Sequence, residues 1–267
     1  MSKVIGFIGC GNMGSAMVGG LITSGFQKAE NIIVSTRTES SANKINEEFK
    51  VRTTLSNIEV AKEADILVLA VKPNMYKDVI DEIKTSLNKE TLIVTIAAGV
   101  SINNMEYWLG EGFKIIRTMP NTPALVGEAM SAVCHNDNVT KEELEYVFSM
   151  FNSFGKAVDL AEKDFHGFTA LCGSSPAYIF MFIEAMADGA VKLGIPRAKA
   201  YTMAAQSLVG SAKMVLETGK HPGELKDMVC SPAGTTIDAV AELEKRGFRS
   251  TVIEAMDKCA EKSKKMS

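Results

Sequence analysis

GFIGCGNMGSAM, residues 6–17, decides the fold. Gly9, Gly11 and Gly14 stand there in G-x-G-x-x-G spacing. The spacing alone is a weak signal, and its setting strengthens it. VIGFI (4–8) before it reads as a buried strand, and a helical pattern follows from about Met13 to Thr23, within a βαβ unit of the right length. Gly9 permits the tight turn, Gly11 has no side chain to block a pyrophosphate, and Gly14 lets helix pack closely on strand. The exposed N–H groups and the helix dipole then attract the anion. A dinucleotide site is expected rather than a plain glycine-rich turn.

Working outward, the same alternation continues. NIIVS (31–35), DILVLAV (65–71), TLIVTIA (91–97) and KIIRT (114–118) are strand candidates, with helices at about 39–49 and 75–87 between them. SAVCH (131–135) and KAVDL (156–160) flank a helix at about 140–153. Continuous β-branched runs indicate strands covered on both faces, and strand–helix alternation implies parallel pairing. After residue 161 the strands stop. The expected class is α/β: a Rossmann-type, doubly wound, mostly parallel sheet over 1–161, then an all-helical C-terminal domain over 162–267 for substrate binding and dimerisation. Several of its helices are apolar around most of their circumference, which demands cover. A second copy of the chain is the expected cover; packing on the chain's own first half is the alternative.

The 267 residues include 46% hydrophobic and 23% charged, with net charge −3, so nothing favours nucleic acid as a partner. ILVLAV (66–71) is too short to span a bilayer, and no targeting or membrane segment is expected. Five scattered cysteines without a CxxC suit a reducing cytoplasm, and the three histidines show no metal-ligand spacing, so no metal site is expected.

The end of the second strand discriminates between coenzymes. An NAD enzyme generally carries an acid there; this chain has Ser35, Thr36, Arg37 and Thr38. A missing acid and a guanidinium suited to a 2′-phosphate favour NADP, with NADPH preferred and NAD possible; Arg37 as a plain surface charge is the alternative. Ligands of open α/β sheets lie beyond the carboxyl ends of the strands. AVKP (70–73), AAG (97–99) and TMPNTPALVG (118–127) end there. Lys72 is read as a positioning charge rather than a catalytic base.

GFIGCGNMG, AVKP, AAGVSI, RTMPNTPALVGE and above all HPGELKDMVCSPAGTTIDAVAELEKRGFRS together resemble the pyrroline-5-carboxylate reductases, in the family's order from residue 6 to about 256. LCGSSPAYIFMFIEAMADGAVKLG (171–194) is similar to the family's first long C-terminal helix and the turn before it. The resemblance implies reduction of the cyclic imine Δ1-pyrroline-5-carboxylate to L-proline, the last step of proline biosynthesis, by a homodimer or ring of dimers. It implies coenzyme contacts from Ile8, Gly9, Cys10, Gly11, Asn12, Met13 and Gly14, from Ser35, Thr36 and Arg37, from Asn57, from Ala70, Val71, Lys72 and Pro73, and from Ala97, Ala98 and Gly99. Met119 and Asn121 are assigned to the substrate, a small imine carboxylate. There are departures: Cys172 and Ser175 replace a Ser and a Gly of the family pattern, and Ala233 replaces a Gly. If that glycine needs positive φ, Ala233 is strained.

CSPAGTTIDAV (230–240) carries no acid–base side chain before Asp238. Ile237, Val240 and Ala241 fall on one helical face, so a helix starts near Thr235 or Thr236. From pattern alone, a Thr hydroxyl capping that helix is the simpler reading. The reductase resemblance adds a second task. A helix N-terminus with Ser/Thr hydroxyls can hold a carboxylate. An imine nitrogen is basic enough to take its proton from water, so the protein must supply orientation and a partner at nitrogen. Thr236 is assigned that catalytic part, with Ser231, Gly234 and Thr235 around the carboxylate. Two rivals remain: a β-hydroxyacid-type NADP dehydrogenase, whose catalytic Lys has no counterpart before Lys192, and a non-catalytic NADP(H)-binding regulator.

Overall fold

A computed structural model describes residues 3–265; residues 1–2 of the expected first domain and 266–267 of the expected second lie outside them. The chain forms two compact units. One runs to Ser174 and takes in the chain again from Cys259; the other is Ser175–Lys258.

In the first unit, β1 (Ile5–Ile8) leads through the glycine turn into α1 (Asn12–Thr23), then β2 (Ile32–Ser35) and α2 (Glu39–Phe49). β3 (Arg52–Thr54), α3 (Asn57–Glu63), β4 (Ile66–Leu69), α4 (Tyr76–Ile83), β5 (Leu92–Thr95), α5 (Ile102–Leu109) and β6 (Lys114–Met119) continue the alternation. β7 (Ala129–His135), α6 (Lys141–Asn152), β8 (Gly155–Asp159) and α7 (Phe165–Phe168) complete it. The eight strands lie in the order β3-β2-β1-β4-β5-β6-β7-β8. The first six give the doubly wound order, whose direction reverses on either side of β1. The β6–β7 pairing is antiparallel, with Thr118 opposite Val133, and β8 lies parallel to β7, so the last two strands run against the first six. Ile5, Phe7, Ile32, Val34, Ile66, Val68 and Val94 are buried in one apolar layer; Ile33, Leu67, Ile93 and Ile115 are buried in the other. Two covered faces are why these strands read as unbroken apolar runs.

Three elements have no counterpart in the sequence-based expectation. β3 is a three-residue polar edge strand, so neither length nor apolarity marks it. α3 and α5 are short, but each carries a start signal. The Ser56 side chain accepts from Glu59 N, and Ser101 forms a reciprocal box with Asn104.

The second unit is helical: α8 (Ser175–Lys192), α9 (Arg197–Thr218), α10 (Pro222–Val229), α11 (Thr235–Lys245) and most of α12 (Phe248–Lys265). α8 packs against α9, and their buried residues are mostly small: Ala187 on one, Ala200 and Ala204 on the other. The large side chains face outward instead. Phe180 is 63% exposed, Met181 69% and Leu216 82%. By length and composition alone the helical run Glu162–Lys192 could cross a membrane. The same apolarity is what an interface between copies requires.

Candidate active site

The glycine turn is built as its spacing demands. Gly9 has φ +85°, and its N–H donates to Ser35 O at 3.0 Å. A Cβ there would sit 2.8 Å from Val71 Cγ1 and 3.1 Å from Ala70 O. Gly14 is nearly as tight, its Cβ position lying 3.2 Å from Gly9 O. Gly11 is different: a Cβ there would meet no heavy atom within 4 Å. It is exposed and caps α1 without any side-chain hydrogen bond, so the first N–H groups of α1 are left for a ligand. An open approach over uncapped N–H groups fits a dinucleotide's pyrophosphate. Burial pushes the Cys10 thiol up, the Ser15 hydroxyl pulls the other way, and Glu48 adds to the rise. The thiol stays neutral and puts no negative charge beside the approach.

β1 and β4 end side by side, with Ala70 N donating to Ile8 O at 2.9 Å. β2 and β3 are held the same way by Thr36 N and Thr54 O at 3.1 Å. Ser35 is fully buried, and its Oγ donates to Asn57 Oδ1 at 2.7 Å; Asn57 Nδ2 donates to Glu82 Oε2 at 2.8 Å. The side chains of Ser35 and Asn57 thus hold each other, and what β2 presents outward is Thr36 and Arg37. Arg37 is exposed, in a loop closed by Thr36 Oγ1 on Thr38 O. It makes no ion pair among the described residues. Lys72 and Pro73 are exposed beyond β4, and Gly99, at φ +80°, turns the chain after β5.

Asn121 is an interior brace. Its Oδ1 accepts from Met130 N at 2.9 Å and its Nδ2 donates to Cys172 O at 2.9 Å, with only 7% of the residue exposed. Met119 lies beside it, with Sδ accepting from Thr169 Oγ1 at 3.1 Å. These two give the loop after β6 its shape. Arg117, just before, is buried, pairs with Glu162 at 2.7 Å and lies over the Phe165 ring. Glu162 also accepts from Ile102 N at 2.7 Å.

Ser231, Gly234, Thr235 and Thr236 belong to the second unit, and Met119, Asn121 and the glycine turn to the first. Gly234 N donates to Ser231 O at 3.0 Å, closing a turn with Pro232 second and Ala233 third. That third position takes positive φ, and Ala233 has φ +56°. The strain foreseen for Ala233 is present. A Cβ on Gly234 would fall 2.4 Å from Ser231 Oγ, so the hydroxyl occupies the space that glycine leaves. α11 then starts at Thr235 with Gly234 as its cap and no side-chain capping bond. Neither Thr hydroxyl caps the helix, contrary to the simpler reading of the sequence. Its first N–H groups are uncapped, with three hydroxyls close in sequence.

Residues 162–266 match the family model described as pyrroline-5-carboxylate reductase dimerisation, and residues 4–99 match NADP oxidoreductase coenzyme F420-dependent. The pyrroline-5-carboxylate reductase of Escherichia coli (strain K12) is 55% identical over 267 residues, covering 100% of this chain and 99% of that one. The chain belongs to the pyrroline-5-carboxylate reductase family. The pyrroline-5-carboxylate reductase of Arabidopsis thaliana is 41% identical, over 98% of this chain and 95% of that one. The crystal structure of Plasmodium falciparum pyrroline carboxylate reductase with NADP bound aligns with TM-score 0.90 at 36% identity, over 99% and 98% of the two chains. As a pyrroline-5-carboxylate reductase family member, the chain carries the family's dimerisation domain, and the outward-facing residues of α8 and α9 lie within it. α8 bears no Lys before Lys192, so the base a β-hydroxyacid dehydrogenase would need there is missing.

Proposed function

We propose that this chain reduces 1-pyrroline-5-carboxylate to L-proline with hydride from NADPH, as an oligomer built from dimers, in the reducing cytoplasm. The observation that carries the site assignment is the uncapped N-terminus of α11 beside the 231–234 turn. When bound, the nicotinamide coenzyme supplies the hydride. Everything else is the chain's own work. The glycine turn and the first N–H groups of α1 take the pyrophosphate. Arg37 takes the 2′-phosphate, which is the basis for preferring NADPH over NADH.

The substrate is held without a basic side chain. The first N–H groups of α11 and the hydroxyls of Ser231 and Thr235 bind its carboxylate, favoured by the helix dipole. Thr236 is half-buried, and its hydroxyl faces the imine nitrogen, orienting the ring and keeping a partner for the proton that nitrogen carries. Water supplies that proton, because an imine nitrogen is basic enough to take it. A positioning hydroxyl of this kind is worth a moderate factor. Thr236→Ala is expected to lower kcat/KM about 10- to 100-fold, or about 1.4–2.7 kcal/mol, with activity retained. The decisive assay follows NADPH absorbance with and without 1-pyrroline-5-carboxylate, with NADH in parallel. Full kcat/KM in Thr236→Ala removes that residue from the mechanism. Coenzyme binding without turnover in the wild type makes the chain a coenzyme-binding regulator instead.

A further inference from the structure

One buried hydroxyl ties the carboxyl ends of two central strands together. Tyr76 opens α4 and is fully buried. Its hydroxyl donates to Leu69 O, on the last residue of β4, at 2.5 Å. It accepts from Thr95 Oγ1, on the last residue of β5, at 3.0 Å, and from Ile96 N at 3.3 Å. Thr95 extends the tie. Its Oγ1 also accepts from Ala97 N at 3.4 Å, and its carbonyl accepts from Thr118 Oγ1 in β6 at 2.9 Å. Burial pushes the Tyr76 phenol up to about 12, while Thr95 and the backbone N–H groups of Ile96 and Ala97 pull it down. The phenol therefore keeps its proton, and one donor and two lone pairs are all used.

A phenylalanine would bury the same ring without needing any partner. The oxygen adds a fixed spacing. The β4–β5 ladder ends at the Leu69–Thr95 pair, and the Tyr76 hydroxyl takes over where it stops. The residues that follow are Ala70–Pro73 on one side and Ala97–Gly99 on the other. We infer that Tyr76 is a positioning residue for the coenzyme: its hydroxyl fixes the 70–73 loop relative to the 97–99 loop. Through Thr95 and Thr118 it reaches the start of the 118–127 loop. The inference rests on the coenzyme reading of those loops given above.

The test measures NADPH Kd by coenzyme fluorescence, Tm without coenzyme, and KM for the imine. It uses the wild type and three variants: Tyr76→Phe, Thr95→Val and Gly11→Val. In Tyr76→Phe and Thr95→Val the NADPH Kd is expected to rise about tenfold, or about 1.4 kcal/mol, while KM for the imine stays within about twofold. A lower Tm with wild-type Kd in both variants would overturn the inference, because the hydroxyl would then serve only the core. A wild-type Kd in Gly11→Val would instead bring down the coenzyme site on which the inference rests. Should Tyr76→Phe fail to fold, Thr95→Val decides, since it removes the hydroxyl that both bonds Tyr76 and accepts from Ala97 N.

Discussion

Two of the glycines in residues 6–17 separate folding from binding, and a paired substitution exploits this. Gly9→Ala places a Cβ at φ +85°, 2.8 Å from Val71 Cγ1 and 3.1 Å from the Ala70 carbonyl. The backbone conformation costs about 1–2 kcal/mol. The crowding adds about 1–3 kcal/mol, since a carbonyl cannot move aside as a flexible side chain can. The sum, about 2–5 kcal/mol, is a large part of an ordinary domain's about 5–15 kcal/mol. At about 2–4 °C per kcal/mol, Tm falls by roughly 4–20 °C. Gly11→Ala meets nothing within 4 Å and keeps an extended φ of −78°. Its cost is that of a poorer helix cap, under about 1 kcal/mol. Its new methyl instead stands in the pyrophosphate approach, and NADPH should bind at least about tenfold more weakly, about 1.4 kcal/mol. Thermal melts without coenzyme and NADPH fluorescence titrations give both quantities. Wild-type NADPH affinity in Gly11→Ala, or a wild-type Tm in Gly9→Ala, refutes this division of labour.

Arg37→Ala should weaken NADPH by about 10- to 100-fold, the worth of a charge-assisted contact, and leave NADH within about twofold; equal losses for both would point to a general effect on the loop. Ala233→Gly relieves about 1–2 kcal/mol of positive-φ strain and returns about 0.4–1 kcal/mol through a freer unfolded chain. A Tm between wild type and about 6 °C above it is the expected reading, and a lower Tm counts against the strain. Lys114 Nζ bonds Glu143 at 2.9 Å and Glu90 at 2.6 Å. Burial works to raise the Glu143 carboxyl, but the bonds from Lys114 and from Thr140 N outweigh it and hold it below the usual range. A lowered folded-state pKa stabilises above the unfolded value, near about pH 4.3, and is lost as pH falls through the folded value. Glu143→Gln should cost about 1.5–3 kcal/mol at pH 7, and the gap to wild type should close in acid. A gap that persists unchanged to about pH 3 excludes this origin.

What could be read in advance followed physical signal strength. The strand cores at 5–8, 32–35, 66–69 and 92–95 were legible because burial on both faces leaves an unbroken β-branched run. The glycine turn was legible because each Gly answers a separate steric demand. The Arg52–Thr54 strand was not, since a short polar edge strand leaves no periodic trace. Nor was the inward turn of Ser35 and Asn121, or the bond from Ser35 to Asn57, because a residue's name does not say which way its hydrogen bonds run. The tie through Tyr76 joins residues 69, 76, 95 and 96, which only the sheet order brings together. The hydroxyl-rich run at 231–236 gave its composition away early; that its Thr residues leave α11 uncapped required coordinates.

The first unit is assembled from two distant stretches of chain. Cys259 Sγ donates to Ser174 Oγ at 3.1 Å, and Ser263 Oγ lies 3.0 Å from His166 Nδ1. On the ribosome these contacts must wait until all of Ser175–Lys258 has been translated, roughly 4–17 s at about 5–20 residues per second. Within that interval α8, whose Phe180 and Met181 are exposed, is made before the N-terminal unit can be finished. Most of the family's dimerisation domain is therefore translated before the last stretch of the N-terminal unit exists.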